Sequence, residues 1–274
     1  MKKSNLLSRI ITGALFIGLI IASVTVHPLL FIIVFGFFTI IGLIEYYKIC
    51  KAAGSSPQII TGTVAGALVF ASIALNASGY LPMQYLAFIG AVVIIIPIIE
   101  IHSKKQTGIS DWAYTVFGIL YVAVGFGVMS YFLFNPITGA FTGKIFLGFF
   151  IFIWINDTGA YCAGNLFGKH KLIPRISPNK TIEGLIGGII FAIASSIPVC
   201  YGFGILSLPQ WMIISIICCS IANYGDLAES MIKRNAGIKD SGKLLPGHGG
   251  VLDRFDSALL AAPAVWLFLI LLTR

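Results

Sequence analysis

The chain has 274 residues, of which 58% are hydrophobic and only 10% are charged. Soluble domains have about a quarter of their residues charged, and the mean hydropathy here is +0.97. The composition therefore excludes an ordinary soluble domain and predicts an all-α polytopic membrane protein. Membrane topology alone can generate the net charge of +8, and this charge also favours anionic head groups and polyphosphates as partners. No nucleic acid is expected.

Apolar segments long enough to cross a hydrocarbon core about 30 Å thick follow one another from the N-terminus. We expect about nine transmembrane helices, because backbone groups in lipid must hydrogen-bond within their own segment. Residues 1–26 also fit a cleaved signal peptide, although no clear small-x-small cleavage site follows them. The predicted spans are 10–26, 29–44, 59–75, 81–99, 112–134, 145–163, 182–205, 211–224 and 258–273.

The basic residues predict the orientation of these helices. With a cytoplasmic N-terminus, every Lys and Arg except Lys144 and Arg274 falls on the inner side, as the positive-inside bias requires. The C-terminus is then predicted to lie outside. No soluble domain or long linker interrupts the spans, so we expect a single transmembrane domain, 1–274.

Glycines spaced four residues apart occur at Gly62 and Gly66, and again at Gly184 and Gly188. This spacing lets helix backbones approach each other closely. Packing within one chain is the favoured interpretation, and a dimer interface is the alternative.

Two aspartates interrupt strongly apolar runs: Asp157 in FIFIWINDTGAY and Asp226 in IANYGDLAES. An Asp at the centre of a membrane helix costs about 2.5–3.5 kcal/mol on insertion scales, so each is expected to face protein, a cation or water. A functional role is favoured for both. For Asp157 the alternative is a buried hydrogen bond between helices.

The acids of the last two predicted helices come in pairs one turn apart, Asp226 with Glu229 and Asp253 with Asp256. Such pairs put like charges on one helix face, where solvent must screen them or cations must neutralise them. The pairs can meet at one membrane depth, because the eighth span enters the loop that the ninth leaves. Oxygen ligands without a Cys or His cluster favour Mg²⁺ over zinc, and a second, monovalent cation is left open.

The loop and helix start KDSGKLLPGHGGVLDRFDS, residues 239–257, are polar between apolar neighbours. Gly249 and Gly250 let the backbone approach a ligand or form an anion-binding nest of N–H groups. Lys239 and Arg254 add positive charge, and the start of the last helix favours a negative group. This combination predicts metal-assisted chemistry on a phosphate.

The stretch SMIKRNAGIKDSGKLLPGHGGVLDRFD resembles the signature of the bacterial phosphatidate cytidylyltransferases, also called CDP-diacylglycerol synthases. The matching positions are Ser230, Lys233, Arg234, Lys239, Asp240, Gly242, Pro246, Gly247, His248, Gly249, Gly250, Asp253, Arg254 and Asp256. The segment DTGAYCAGNLFGKHKLIPRISPNKTIEGLIGG is similar to a second family segment. Its matching positions are Asp157, Tyr161, Gly168, Lys169, Ser177, Pro178, Lys180, Thr181, Glu183 and Gly184. The N-terminal half resembles the family only in hydropathy.

The resemblance implies an enzyme that joins CTP to phosphatidic acid, giving CDP-diacylglycerol and pyrophosphate. It further implies Mg²⁺ as cofactor, a homodimer, and a site on the cytoplasmic face of the bacterial inner membrane. Residues 145–274 would carry the catalytic helices and cytoplasmic loops, and helices of 1–135 would serve packing or dimerisation.

The implied metal ligands are Asp226, Asp253 and Asp256, and Lys239 and Arg254 join them as catalytic candidates. The candidates for substrate contacts are Asp157, Lys169, Ser177, Lys180, Thr181, Lys233, Arg234, Asp240, His248, Gly249 and Gly250. Lys233 and Arg234 fit simple topology determinants equally well. His248 fits either a phosphate donor or a structural hydrogen bond in the turn.

Three other functions compete with this interpretation. A transporter or channel also carries acids in membrane helices, but usually near the midplane. A CTP-dependent lipid kinase would transfer the γ-phosphoryl group and release CDP. A CDP-alcohol phosphotransferase is disfavoured because its DGxxAR run is absent.

Overall fold

The computed structural model describes residues 3–102, 109–242 and 249–272, with the backbone alone for residues 3–12 and Phe88. Within these residues the chain is almost entirely helical, which confirms the all-α prediction. The first helices are α1 (Lys3–Thr25), α2 (Pro28–Ala52), α3 (Ile59–Ala77), α4 (Ala87–Ile101), α5 (Ile109–Gly118) and α6 (Gly125–Met129). The remaining elements are α7 (Lys144–Phe167), β1 (Lys171–Ile173), β2 (Ser177–Thr181), α8 (Ile182–Phe203), α9 (Leu208–Asn235) and α10 (Leu252–Leu272).

Short non-α turns adjoin α4, α5 and α6. A 3₁₀ turn, Met83–Leu86, precedes α4, and a π-helical turn, Ile119–Val124, joins α5 to α6. A further 3₁₀ turn, Ser130–Leu133, follows α6. One continuous membrane-length segment therefore runs over residues 109–133.

In the described part of the chain, 8 helices are long and apolar enough to cross a membrane. They coincide with the predicted spans from the second to the ninth, so the chain is a multi-pass membrane protein. A shorter apolar helix, Gly13–Thr25, overlaps the first predicted span. The total of nine and the orientation stay predictions.

The helix that contains the eighth predicted span is longer than the span itself. The apolar span is 211–224, and α9 continues to Asn235 and carries Asp226, Glu229 and Lys233 on its last turns. Hydropathy marks only the part of a helix that lies in lipid, whereas good helix formers such as Leu227, Ala228 and Glu229 extend it into polar surroundings. Each of the two acidic pairs therefore lies on one helix, as its spacing predicted.

The chain forms two compact units, one of residues 1–131 and 232–255 and the other of residues 132–231 and 256–274. The assignment of packing and catalytic roles to residues 1–135 and 145–274 stays a prediction. In the first unit, buried aromatic rings hold the start of α10 against α2 and α6. The Phe255 ring centroid lies 5.8 Å from Phe35 and 4.9 Å from Phe126.

Close helix contacts at glycine also organise the first unit. A Cβ atom on Gly62 would lie 2.7 Å from Cζ of Tyr47, and one on Gly66 would lie 2.5 Å from Cδ1 of Leu43. Neither position has room for a side chain. The favoured interpretation of this glycine pair, packing within one chain, is confirmed.

The second unit is built around α7 and α8, which pack through small residues. A Cβ atom on Gly184 would lie 2.9 Å from the Ala160 carbonyl oxygen, and one on Gly188 would lie 2.6 Å from Oδ1 of Asn156. The two helix backbones are thus nearly in contact, and packing within the chain is confirmed for this pair too. This contact fixes where α8 begins relative to the last turns of α7.

The replacement Gly188→Ala should destabilise the protein, whereas Gly202→Ala on the same helix should not. The new methyl group at position 188 would overlap both the side chain and the carbonyl of Asn156, while nothing lies within 4 Å of the position at 202. Overpacking of this kind costs about 1–3 kcal/mol. Thermal unfolding of the detergent-solubilised variants should show a lower midpoint for Gly188→Ala alone; equal midpoints would contradict the contact.

Candidate functional site

A β-hairpin between α7 and α8 positions several of the predicted substrate contacts. The strands β1 and β2 are antiparallel, with Lys171 opposite Thr181 and Ile173 opposite Ser177. Thr181 caps α8, because its hydroxyl oxygen accepts the N–H of Gly184 at 3.1 Å. The hairpin therefore places Lys180 immediately before the N-cap of α8.

Glu183 fastens the other end of the hairpin. Its carboxylate accepts the backbone N–H groups of Lys169 at 3.1 Å and His170 at 3.2 Å, and lies 2.6 Å from Nδ1 of His170. The Lys169 side chain itself is exposed. The hairpin and the residues before it thus carry the exposed cations Lys169, Lys171 and Arg175, and Lys180 is half-buried.

Lys180 and Asp226 form an ion pair between the hairpin and α9. The Nζ atom of Lys180 lies 2.5 Å from Oδ2 of Asp226, and the two side chains are only 26% and 35% exposed. The Ser230 hydroxyl donates to Oδ1 of the same aspartate at 3.3 Å. Separate roles were predicted for these two residues, phosphate binding for Lys180 and metal binding for Asp226, and the structure places them side by side.

Asp256 lies where α9 and α10 touch. A Cβ atom on Gly225 would lie 2.7 Å from the Asp256 carbonyl oxygen and 3.0 Å from Cα of Ser257. Oδ1 of Asp256 accepts the Ser257 N–H at 2.6 Å. Because Gly225 precedes Asp226, two of the three predicted metal ligands lie on adjoining turns of touching helices.

A pair of buried asparagines, Asn156 and Asn223, connects Asp157 of α7 to α9 through hydrogen bonds. Asn223 of α9 donates to Oδ1 of Asn156 at 3.3 Å and to the Cys219 carbonyl at 2.7 Å, and Asn156 donates to Oδ1 of Asp157 at 3.4 Å. Neither asparagine was among the predicted site residues. The available signal for Asn223 was an amide side chain in the apolar run of α9.

Asp253, the third predicted metal ligand, belongs to a dense hydrogen-bond cluster in the first unit. Lys233 donates to its Oδ1 at 2.7 Å, while the N–H groups of Ser241 and Gly250 donate to its Oδ2 at 2.9 and 2.8 Å. The Ser241 hydroxyl also lies 2.9 Å from that oxygen. The Lys233 and Asp253 side chains are 11% and 8% exposed, so this is a buried ion pair.

Glu45 of α2 reaches the same cluster and was missed by the sequence analysis. It is 6% exposed, and its Oε2 accepts the N–H of Leu252 at 3.0 Å and lies 3.2 Å from the Ser241 hydroxyl. A charged residue beside Tyr46 and Tyr47 in a strongly apolar helix was the only available signal.

Other predicted site residues are exposed or lie elsewhere. The side chains of Lys239, Asp240 and Arg254 are exposed. Arg234, also exposed, donates to the Ile238 carbonyl at 3.2 Å, which fits an end cap of α9. His248 lies outside the described residues.

The predicted glycine turn has the expected backbone at Gly249. Its φ of +86° is a conformation that other residues rarely adopt. A Cβ atom there would lie 2.5 Å from Oδ2 of Asp253. Glycine is therefore required for both conformation and space, whereas a phosphate-binding role for this turn stays a prediction.

The metal prediction can be compared with the donor groups present. Among the described residues, no three or more His, Cys, Asp or Glu side chains are grouped to hold a metal ion. Mg²⁺ usually takes one or two carboxylates and completes its shell with water and substrate phosphates. Asp226 and Asp256 offer two such oxygen donors on touching helices, so their chemistry fits Mg²⁺. Binding of the metal, and the share of Asp253 in it, stay predictions.

Comparison with known proteins tests the resemblance to the phosphatidate cytidylyltransferases. Residues 7–272 match the model of the cytidylyltransferase family. The chain is 43% identical over 170 residues to the phosphatidate cytidylyltransferase of Staphylococcus haemolyticus (strain JCSC1435), covering 61% of this chain and 63% of that protein. It is 38% identical over 206 residues to the phosphatidate cytidylyltransferase of Staphylococcus epidermidis (strain ATCC 35984), covering 74% of this chain and 76% of that protein.

A third relative gives the same picture. The chain is 40% identical over 170 residues to the phosphatidate cytidylyltransferase of Staphylococcus aureus (strain COL), and the match covers 61% of this chain and 63% of that protein. The match thus spans less than two thirds of the S. haemolyticus and S. aureus proteins. The family match nevertheless runs over nearly the whole chain, and it confirms the resemblance. The chain belongs to the cytidylyltransferase family.

Proposed function

We propose that the protein transfers a cytidylyl group from CTP to phosphatidic acid. An oxygen of the lipid phosphate attacks the α-phosphorus of CTP, the bond from that phosphorus to the β-phosphate oxygen breaks, and pyrophosphate leaves. The products are CDP-diacylglycerol and pyrophosphate. The family match over residues 7–272, with relatives named phosphatidate cytidylyltransferase, carries this proposal.

The proposed reaction does not require a dedicated general base. The second pKa of a phosphomonoester is about 6, so the attacking phosphate is already largely dianionic at neutral pH. The barrier is the approach of two polyanions, and positive groups held in place lower it by stabilising charge in the transition state. The residues of this chain are therefore expected to act by positioning and neutralising phosphates.

Lys180 is the best-placed cation for that task. Thr181 and the hairpin fix its backbone, and Asp226 holds its ammonium group at 2.5 Å, so it is oriented before a substrate arrives. A cation already ordered in this way loses little entropy on binding. Lys169, Lys239 and Arg254 are exposed and suit the outer parts of an anionic substrate.

Mg²⁺ is part of the proposal, with Asp226 and Asp256 as the residues that would hold it. When bound, the ion would supply Lewis-acid stabilisation of the phosphate charges. A Lys180 ammonium group beside Asp226 is compatible with this, since both cations would neutralise the same phosphates. We also propose that the site faces the cytoplasm in the bacterial inner membrane and that the protein is a homodimer.

One assay tests the proposed reaction. Membranes containing the protein, given CTP labelled in the cytosine ring, phosphatidic acid and Mg²⁺, should form a chloroform-soluble labelled lipid and an equal amount of pyrophosphate. EDTA should stop the reaction and added Mg²⁺ should restore it. Release of CDP in place of pyrophosphate would identify a lipid kinase instead. No nucleotide turnover at all would favour a transport function.

A further inference from the structure

Glu45 is a buried acid in the N-terminal half of the chain, which the signature motifs do not cover. It lies near the end of α2 and is 6% exposed. An ionisable residue within a membrane helix is costly unless it has specific partners. The described contacts of Glu45 show what those partners are.

The hydrogen-bond partners described for Glu45 belong to the signature region. Oε2 accepts the N–H of Leu252, 207 residues away in sequence, and contacts the hydroxyl of Ser241, 196 residues away. Ser241 precedes the glycine turn and Leu252 begins α10. One carboxylate oxygen therefore holds the start and the end of the same loop.

Asp253 shares one of these partners. Its Oδ2 lies 2.9 Å from the Ser241 hydroxyl and also accepts the N–H of Gly250 at 2.8 Å. The Glu45 contacts thus fix the two chain segments that surround Asp253. If they were lost, the hydroxyl and the first turn of α10 would be free to shift.

The glycines of the loop are shaped to this carboxylate. A Cβ atom on Gly250 would lie 2.5 Å from Oε2 of Glu45, and a Cβ atom on Gly242 would lie 2.8 Å from its carboxyl carbon. The backbone at Gly242 and Gly250 can therefore lie against the Glu45 carboxylate only because both residues lack a side chain. Two positions of the family signature are explained by a residue outside it.

We propose that Glu45 is a positioning residue for the proposed reaction: it ties the N-terminal helices to the loop and helix start that carry Asp253 and Arg254. It acts through hydrogen bonds to Ser241 and Leu252 and does not itself contact substrate. This inference rests on the proposed cytidylyl transfer for its kinetic consequence, but its structural part stands independently of it.

The two contacts of Oε2 allow a sharp choice of variants. Glu45→Gln keeps an amide oxygen that can accept both hydrogen bonds, whereas Glu45→Ala removes the acceptor. Asp111→Ala is the matched control, because Asp111 is another buried acid of the same unit and accepts the N–H of Ser56 at 2.7 Å. Asp111 has no described contact with the signature region.

The first measurement is hydrogen–deuterium exchange in peptides that contain Ser241 or Leu252, on the full-length protein in detergent. In Glu45→Ala the Leu252 amide should exchange faster by about 5- to 100-fold, the range expected when a buried N–H loses its acceptor. The Ser241 amide keeps its acceptor, Asp253, so its exchange should rise less, through the loss of the hydroxyl contact. Glu45→Gln and Asp111→Ala should match the wild type. This readout needs no activity, so it tests the inference even if the proposed function fails.

The second measurement is cytidylyl transfer by the same proteins at equal abundance in the membrane. We expect kcat to fall at least about tenfold in Glu45→Ala with a smaller change in the KM for CTP, and to recover in Glu45→Gln, as positioning requires. Unchanged exchange in Glu45→Ala, or failure of Glu45→Gln to restore either readout, would overturn the inference. Equal losses in Glu45→Ala and Asp111→Ala would also overturn it, since they would indicate general destabilisation.

Discussion

Asp256→Asn should lower the rate of cytidylyl transfer by about 100- to 1,000-fold while leaving the protein folded in the membrane. That range corresponds to the loss of one strong electrostatic contribution to transition-state stabilisation. The fold should survive because an Asn oxygen can still accept the Ser257 N–H, which Asp256 accepts at 2.6 Å. Only the carboxylate charge is removed.

The measurement pairs turnover with thermal unfolding. Asp226→Asn should also lower turnover, since Asp226 follows Gly225, the residue of α9 that contacts the Asp256 backbone. Asp111→Asn, on α5, is the control that removes a carboxylate charge elsewhere. Activity of Asp256→Asn close to that of the wild type would remove Asp256 from the metal proposal. A steeper dependence on Mg²⁺ concentration in this variant would support it.

Lys233→Met should destabilise the protein by about 3–5 kcal/mol, the usual cost of leaving one member of a buried ion pair without its partner. Lys233 and Asp253 have side chains that are 11% and 8% exposed, so water cannot readily replace the lost ammonium group. The unfolding midpoint in detergent should fall by several degrees, and the variant should accumulate poorly in the membrane.

A double-mutant cycle tests whether the destabilisation comes from the unpaired charge of Asp253. Lys233→Met combined with Asp253→Asn should be less destabilised than the sum of the single variants, because the second change removes the isolated charge. Lys239→Met, at an exposed position in the same region, should leave the midpoint unchanged. Additive effects in the cycle would mean that the 2.7 Å contact contributes nothing to stability.

The variants of the Lys233–Asp253 pair and of Asp256 distinguish two aspartates that have the same expected role in the sequence. Asp253 and Asp256 lie one turn apart in α10, and the signature gives them the same expected role. In the structure Asp253 accepts hydrogen bonds from Lys233, Ser241 and Gly250. Its replacement is therefore expected to affect stability as well as turnover. Asn at position 256 keeps an acceptor for the Ser257 N–H, so that variant is expected to affect turnover more than stability.

The sequence alone determined the class of fold and predicted the chemical character of the site. Lipid imposes a local rule, because each span must satisfy its own backbone and present apolar side chains. A run of apolar residues is therefore enough to locate a helix. The signature segments likewise identified the family, and the glycine spacing predicted close packing at Gly66 and Gly188.

Only the tertiary structure decided which polar side chains are partners. Glu45 contacts residues 196 and 207 positions away, and the Lys180–Asp226 and Asn156–Asn223 contacts also join distant segments. A hydrogen bond depends on distances of about 3 Å that are set by how helices pack, and no local pattern in the sequence encodes them. The same reason explains why α9 extends beyond the predicted apolar span 211–224. Hydropathy reports contact with lipid, whereas the length of a helix past the membrane depends on what it packs against.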